Sequence, residues 1–326
     1  MKGKHTLRIQ SAHLRFDMEF TRNITIIQGD SATGKTTFVD MVQEYLLNGE
    51  DTGIALTCDV PCRVVAGITW QDQLAGIEDS IVFIDEGNRF VASMDFAKTI
   101  RGSSNYYVIV TRESLDNLPY SVTEIYGLKS SGKFNSLEPV YHEMYRIYGG
   151  EILEPDKEGV LLIEDSNAGF DFFSGITEGK KTECISAGGA GNIFRSLQNL
   201  QGNVTVIADG AAFGSQMGRI YQLIHKKNRI RLYLPESFEW IILSSGVLED
   251  KEIVKMLKEP YEYIDYREYF SWEQFFTALL VEKSRGSWLQ YSKDRLNPVY
   301  LKGKCREQII NVLPEKMKRI LDDSDS

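Results

Sequence analysis

Eight residues near the amino end, Gly29-Asp30-Ser31-Ala32-Thr33-Gly34-Lys35-Thr36, carry the spacing G-x-x-x-x-G-K-[ST]. That spacing suits the gripping of a polyanion. Successive backbone N–H groups from Gly29 through Thr37, with Asp30, Ser31, Ala32 and Thr33 between, can surround a phosphate chain, and the positive end of a following helix adds to the field. Gly29 and Gly34 allow backbone angles and a close approach that a Cβ would hinder. Lys35 is expected to reach the β- and γ-phosphates and the Thr36 hydroxyl to ligate Mg²⁺. ATP with Mg²⁺ is the expected cofactor pair. No Asn-Lys-x-Asp follows, so guanine specificity has no support in the chain.

A second chemical group lies about fifty residues on. Four apolar residues, Ile81-Val82-Phe83-Ile84, end in Asp85-Glu86. Asp85 is placed to hold the Mg²⁺ shell against the Thr36 hydroxyl. Glu86, one residue further, is placed to orient or deprotonate an attacking water. Thr111 and Arg112 follow another apolar run and are candidates to sense or neutralise the transferring phosphoryl group, Arg112 as an arginine finger. The catalytic candidates are therefore Lys35, Glu86 and Arg112.

These groups need particular elements behind them. Ile24–Ile27 is an apolar, β-branched strand leading into the glycine loop. Residues 36–47 read as an amphipathic helix, with Phe38, Val39, Met41, Val42, Leu46 and Leu47 as its apolar positions. Residues 7–10 and 14–20 alternate apolar and polar as half-buried antiparallel strands do. Further strands are expected at 54–57, 106–111 and 124–128, and 140–148 reads as an edge strand or connector. The order of these elements, with the loop and the paired acids, resembles the P-loop ATPases of the ABC-like and AAA-like branch over residues 5–148. Asp85 and Glu86 stand where that branch has its Walker B acids. The opening strands are most similar to those of the overcoming-lysogenization-defect (OLD) nucleases. No Leu-Ser-Gly-Gly-Gln signature is present. The resemblance implies a nucleotide site completed across a subunit interface, hence a homo-oligomer.

Gly149-Gly150 and the acids and proline up to Asp156 mark a linker. Beyond it, strands alternate with helices, as in a parallel α/β sheet. One strand ends in Glu164-Asp165 and a later one in Asp209-Gly210. This order resembles the TOPRIM fold of topoisomerases, primases and OLD-family nucleases. The resemblance gives Glu164 and Asp209 as ligands of a second Mg²⁺. Two positions depart from the pattern: Asp165 stands in place of glycine, and Ala211 in place of the second aspartate. Asp165, Asp171 and Glu239 are the acids that could substitute. An active variant nuclease, a TOPRIM-shaped binding or assembly domain and an unrelated α/β domain all stay open. Gly188-Gly189-Ala190-Gly191 reads as a close strand–helix turn rather than a second phosphate loop.

From 249 onward the pattern is helical. Between Lys283 and Arg306, basic residues interleave with Trp288, Tyr291 and Tyr300. Such a run suits either a nucleic-acid grip or a solvated basic face over buried rings. Lys226-Lys227-Asn228-Arg229 is a shorter run of the same kind. The tail 322–326 is acidic. Net charge is −9, from 37 basic and 46 acidic residues, which argues against a dedicated sequence-independent DNA binder. Four cysteines, Cys58, Cys62, Cys184 and Cys305, make no disulfide framework. No secretory signal or membrane span is expected, so the cytoplasm is the expected location.

The fold class expected is α/β: a P-loop NTPase domain with a parallel sheet at 1–148, a TOPRIM-like α/β domain at 149–248 and a helical extension at 249–326. The expected activity is Mg²⁺-dependent ATP hydrolysis coupled to the second domain, in nucleic-acid transactions or defence against mobile elements. The alternatives are a slow-turnover nucleotide switch and an ATP-regulated, metal-dependent nuclease. A nucleoside triphosphate, a second copy of the chain, and a nucleic acid or protein are the expected partners, and a membrane is not.

Overall fold

The computed structural model describes residues 1–29, 33–131, 140–148, 159–227 and 229–321. Asp30, Ser31, Ala32, the linker up to Asp156, Asn228 and the tail 322–326 lie outside them. The chain is mixed α/β and divides into two compact units. The first is Met1–Gly149 with Tyr261–Ser271, and the second is Gly150–Pro260 with Trp272–Ser326. The helical stretch from 249 onward is thus not a unit of its own. Among the described residues no helix is long and apolar enough to cross a membrane.

In the first unit the order is β1 (His5–Gln10), β2 (Leu14–Phe20), β3 (Ile24–Ile27), α1 (Lys35–Asn48), β4 (Ala55–Cys58), β5 (Cys62–Val64), α2 (Trp70–Leu74), β6 (Ile81–Ile84), α3 (Met94–Ile100), β7 (Tyr106–Val110), β8 (Ile125–Ser131) and β9 (Val140–Arg146). The nine strands form one sheet in the order β4-β1-β2-β9-β8-β3-β7-β6-β5. The neighbours from β8 through β5 are parallel, and β3, β6 and β7 are buried along their whole length. That burial is why they read as unbroken apolar runs. Strand β9 is not at an edge. It runs parallel to β2 and antiparallel to β8, joining the β1–β2–β4 meander to the parallel strands.

This sheet must curl. Nine flat strands would put their two edges roughly 38 Å apart, from a spacing of about 4.8 Å. Yet the edge strands β4 and β5 are joined by three residues, Asp59-Val60-Pro61, which span at most about 15 Å. Helix α1 packs against both edge strands and fills the curl. Its Phe38 is fully buried, 5.3 Å from Phe16 of β2 on one side and 5.3 Å from Phe83 of β6 on the other. The segment Tyr261–Ser271 closes the opposite end of the same unit. The Tyr266 hydroxyl donates to the Thr21 carbonyl at 3.0 Å, and the Asn23 amide donates to the Phe270 carbonyl at 3.0 Å.

The second unit holds β10 (Val160–Ile163), α4 (Ala168–Thr177), β11 (Glu183–Ser186), α5 (Ala190–Asn199), β12 (Val204–Ile207), α6 (Gly214–Lys226), β13 (Ile230–Tyr233), α7 (Phe238–Ser244), α8 (Lys251–Lys258), α9 (Trp272–Ser284), α10 (Gly303–Val312) and α11 (Glu315–Leu321). Its four strands are all parallel, in the order β11-β10-β12-β13. Strands β10 and β12 are adjacent, so the residues that follow them, Glu164 and Asp209, stand side by side at the carboxyl edge.

Because Phe38 is the contact between α1 and both halves of the curl, Phe38→Ala is expected to cost about 3–5 kcal/mol. Urea unfolding of the full chain measures it. A loss under about 1 kcal/mol would show that the helix is held elsewhere.

Candidate functional site

The carboxyl ends of β3, β7 and β6 lie along one rim, and three sequence signals meet there. The chain leaves β3 at Gln28 and turns through Gly29, at φ 132°, towards α1. Gly34 caps α1 in the left-handed conformation, φ 88° and ψ 7°, and no side chain caps the helix. A Cβ-bearing residue would be strained there. Lys35 opens the helix and is only 5% exposed. Its ammonium donates to the Gly29 carbonyl at 2.9 Å and to the Thr33 hydroxyl at 3.0 Å. A buried ammonium has to be bonded in this way. Thr36 and Thr37 are exposed at the mouth of the helix. The candidate loop residues Asp30, Ser31 and Ala32 fall outside the described part.

Asp85 leaves β6 two strands away from β3, with β7 between them. Helix α1 folds back over the sheet and brings the Thr36 hydroxyl near enough to the Asp85 carboxylate to favour its charged form slightly. Burial raises the Asp85 carboxyl above its ordinary range, and the nearby negative charges of Asp40 and Glu86 add to the rise. Its Oδ1 is buried without a hydrogen-bond partner. A hydroxyl and a carboxylate with an unused buried oxygen are hard donors, and they fit Mg²⁺, which keeps most of its shell as water and phosphate. Among the described residues no three His, Cys, Asp or Glu side chains gather into a metal cluster.

Glu86 and Arg112 meet. The Arg112 guanidinium lies 2.7 Å from Glu86, Nε to Oε1. Nothing in the sequence marks the two as partners. The pairing follows from β6 and β7 being parallel neighbours, which sets the residues after Ile84 and Val110 beside each other. Thr111 is buried, and its hydroxyl is used locally, accepting from the Glu113 amide at 3.0 Å.

In the second unit, the Glu164 carboxylate accepts the Asp209 amide at 2.9 Å, and Asp209 accepts the Phe238 amide at 3.1 Å. One oxygen of each thus ties a strand end to the next element. Burial pushes the Glu164 carboxyl up to about 7, with Glu273 and Asp165 adding to the rise. Asp209 is raised well above its usual range by burial and by Glu273, Glu164 and Glu239. The acids that might have replaced the missing aspartate are also engaged. Asp165 accepts the Phe170 amide, Asp171 the Leu296 amide, and Glu239 the Tyr291 hydroxyl. Ala211 is buried where its loop packs backbone to backbone on 234–236: a Cβ at Gly210 would sit 2.6 Å from the Leu234 carbonyl. Between Glu164, Asp165, Asp209 and Phe238 lies a cavity of about 20 Å³, room for about one water.

The sequence marks Lys293 only as one of the basic residues in the run from Lys283 to Arg306, and the fold sets it among the carboxylates. Its ammonium lies 2.5 Å from Glu273. Burial opposes its charge, but Glu273, Glu239 and Asp209 hold it above the usual lysine range. The basic–aromatic run that contains it has Tyr291 and Tyr300 buried in the core. In the shorter run, Lys227 and Arg229 bond the carbonyls of Leu197, Gln198 and Leu200 at the end of α5. Of the aromatics in the longer run, Trp288 is exposed.

The chain matches no protein-family model, and no curated protein proves similar to it. The reading of the site therefore rests on its own geometry.

The Glu164 carboxyl, raised from an unfolded value of 4.5 to about 7, gives a pH signature. The fold favours its neutral form. This contribution is complete below about pH 4.5 and is lost as pH rises through about 7. Glu164→Gln is neutral at every pH. Without divalent cations it is expected to match the wild type near pH 5 and to exceed it by about 1–3 kcal/mol at pH 8. Chemical denaturation at the two pH values checks this. An equal difference at both would refute the assignment.

Proposed function

We propose that the first unit binds Mg²⁺–ATP and hydrolyses it, as a P-loop ATPase of the ABC-like and AAA-like branch, and that the second, TOPRIM-like unit is its output. The observation that carries this reading is Asp85 Oδ1, buried and unpartnered at the end of β6, with the Thr36 hydroxyl close enough to act on the same carboxylate. A buried acceptor without a donor is costly, and a hydrated divalent ion at that point repays the cost. The strand between β3 and β6 supports the branch, in which the Walker B strand is not the neighbour of the loop strand.

The roles follow from chemistry. Lys35 and the loop amides neutralise the β- and γ-phosphates, exchanging the Gly29 and Thr33 oxygens for phosphate oxygens. Thr36 and Asp85 hold Mg²⁺, which when bound offsets the charge of the phosphoryl oxygens. Glu86 orients the water for in-line attack and accepts its proton. A second copy of the chain completing the site, a nucleic-acid or protein partner in mobile-element conflict and a cytoplasmic setting belong to the same proposal.

The Glu86–Arg112 ion pair favours a second reading, a slow-turnover switch. A guanidinium held on the carboxylate occupies the oxygen that would meet the water and draws it away. In the nuclease reading, Glu164 and Asp209 would carry Mg²⁺, and their adjacent strand ends are what speaks for it.

Calorimetry and turnover with MgATP separate these readings. Lys35→Ala is expected to weaken binding at least about 100-fold. Glu86→Gln should bind normally and turn over about 10²–10³-fold more slowly. Arg112→Ala should raise turnover if the pair restrains Glu86 and lower it if Arg112 acts on the phosphate. No heat of binding from folded protein at millimolar MgATP would sink the proposal. Plasmid or RNA cleavage in Mn²⁺ that is lost in Asp209→Ala would establish the nuclease.

A further inference from the structure

His142 stands behind the glycine loop with its Nδ1 buried and unbonded. It lies on β9 opposite Phe16 of β2, and the two rings stack with centroids 4.5 Å apart and planes 13° from parallel. The residue is 5% exposed, and its Nδ1 is fully buried without a hydrogen-bond partner. The Nδ1–Cε1 edge faces Gly34. A Cβ built on Gly34 would lie 3.1 Å from Cε1 and 3.4 Å from Nδ1. A side chain at position 34 would therefore press on the imidazole.

Gly34 is the N-cap of a fourteen-residue helix whose amino end attracts anions. Burial lowers the imidazole below its usual range, so it is neutral and offers one N–H. A core histidine kept only for packing would bond both nitrogens or give way to phenylalanine, because an unmade bond at a buried nitrogen is costly. Among the described residues no group meets this nitrogen, and a polyanion bound beside Gly34 would supply the acceptor.

We infer that His142 is a nucleotide-contacting residue of the Gly29–Thr37 loop, its Nδ1–H donating to an oxygen of the bound triphosphate beside Gly34. The inference rests on the reading that this loop binds Mg²⁺–ATP. It adds a residue from a strand more than a hundred positions away, outside the loop motif.

Two substitutions distinguish a contact from packing. His142→Phe keeps the ring and its stack on Phe16 but removes the donor. His142→Asn loses the stack but keeps an N–H near the position of Nδ1. The contact predicts that His142→Phe, without nucleotide, melts no lower than wild type, because an unpartnered nitrogen is gone. It also predicts that His142→Phe binds MgATP about tenfold or more weakly, the scale of a hydrogen bond to a charged group. His142→Asn should bind within about threefold of wild type. In the unmutated protein, the ¹⁵N resonance of His142 Nδ1 should shift on adding MgATP, and not in Lys35→Ala. A packing role predicts the reverse order, with His142→Phe binding as wild type and His142→Asn impaired. That order, or an unmoved Nδ1 resonance at saturation, overturns the inference while the loop reading stands. Wild type binding no better than Lys35→Ala would bring down both.

Discussion

Helix α1 can deliver Thr36 to Asp85 only because the sheet is bent around it. In a flat sheet the helix would cover one face, and β2 and β6 would lie far apart. The three-residue link between β4 and β5 removes that option. With both edges drawn together, Phe38 is pressed between Phe16 and Phe83, and rotation of the helix is blocked on both sides. The first turn of α1, the end of β6 and the end of β7 then share one rim. The placing of Lys35 and Thr36 on that rim depends on this orientation, while Arg112 meets Glu86 through the pairing of β6 with β7.

The two units treat their carboxylates differently. In the first, Asp85 keeps one oxygen buried and unpartnered, and its protein neighbours include a hydroxyl suited to sharing a cation. In the second, Glu164, Asp165, Asp171, Asp209 and Glu239 each give an oxygen to a backbone amide or a tyrosine hydroxyl, and Lys293 supplies a positive charge from within the chain. The first arrangement leaves a buried acceptor unmet, which is costly. The second offsets much of that cost within the fold.

What could be read from the sequence was local. Gly29 to Thr37 and Ile81 to Glu86 are short segments in which the chemistry and its supporting element are contiguous. Helix α1 and strands β3, β6 and β7 are therefore close to where the pattern put them. What escaped was set by partners distant in sequence. Strand β5 has three residues, too few to show a period. Strand β9 alternates in burial at its start as an edge strand does, yet its neighbour β2 lies more than a hundred residues earlier. Lys293 sits in a run whose composition suggests phosphate contacts, and only the folded chain shows it on Glu273. Tyr261–Ser271 carries no mark of belonging with the first unit; its hydrogen bonds to Thr21 and Asn23 put it there.

Gly34 shows how one residue can satisfy two independent demands. The loop spacing calls for glycine so that the backbone can turn and approach a phosphate. The structure adds a second pressure in the same direction, because the ring of His142 stands 3.1 Å from where a Cβ would lie and would have to give way to it. The motif by itself could not reveal this. The link matters because β9 also joins the meander to the parallel strands. The ring therefore sets the seam of the sheet directly behind the amino end of α1.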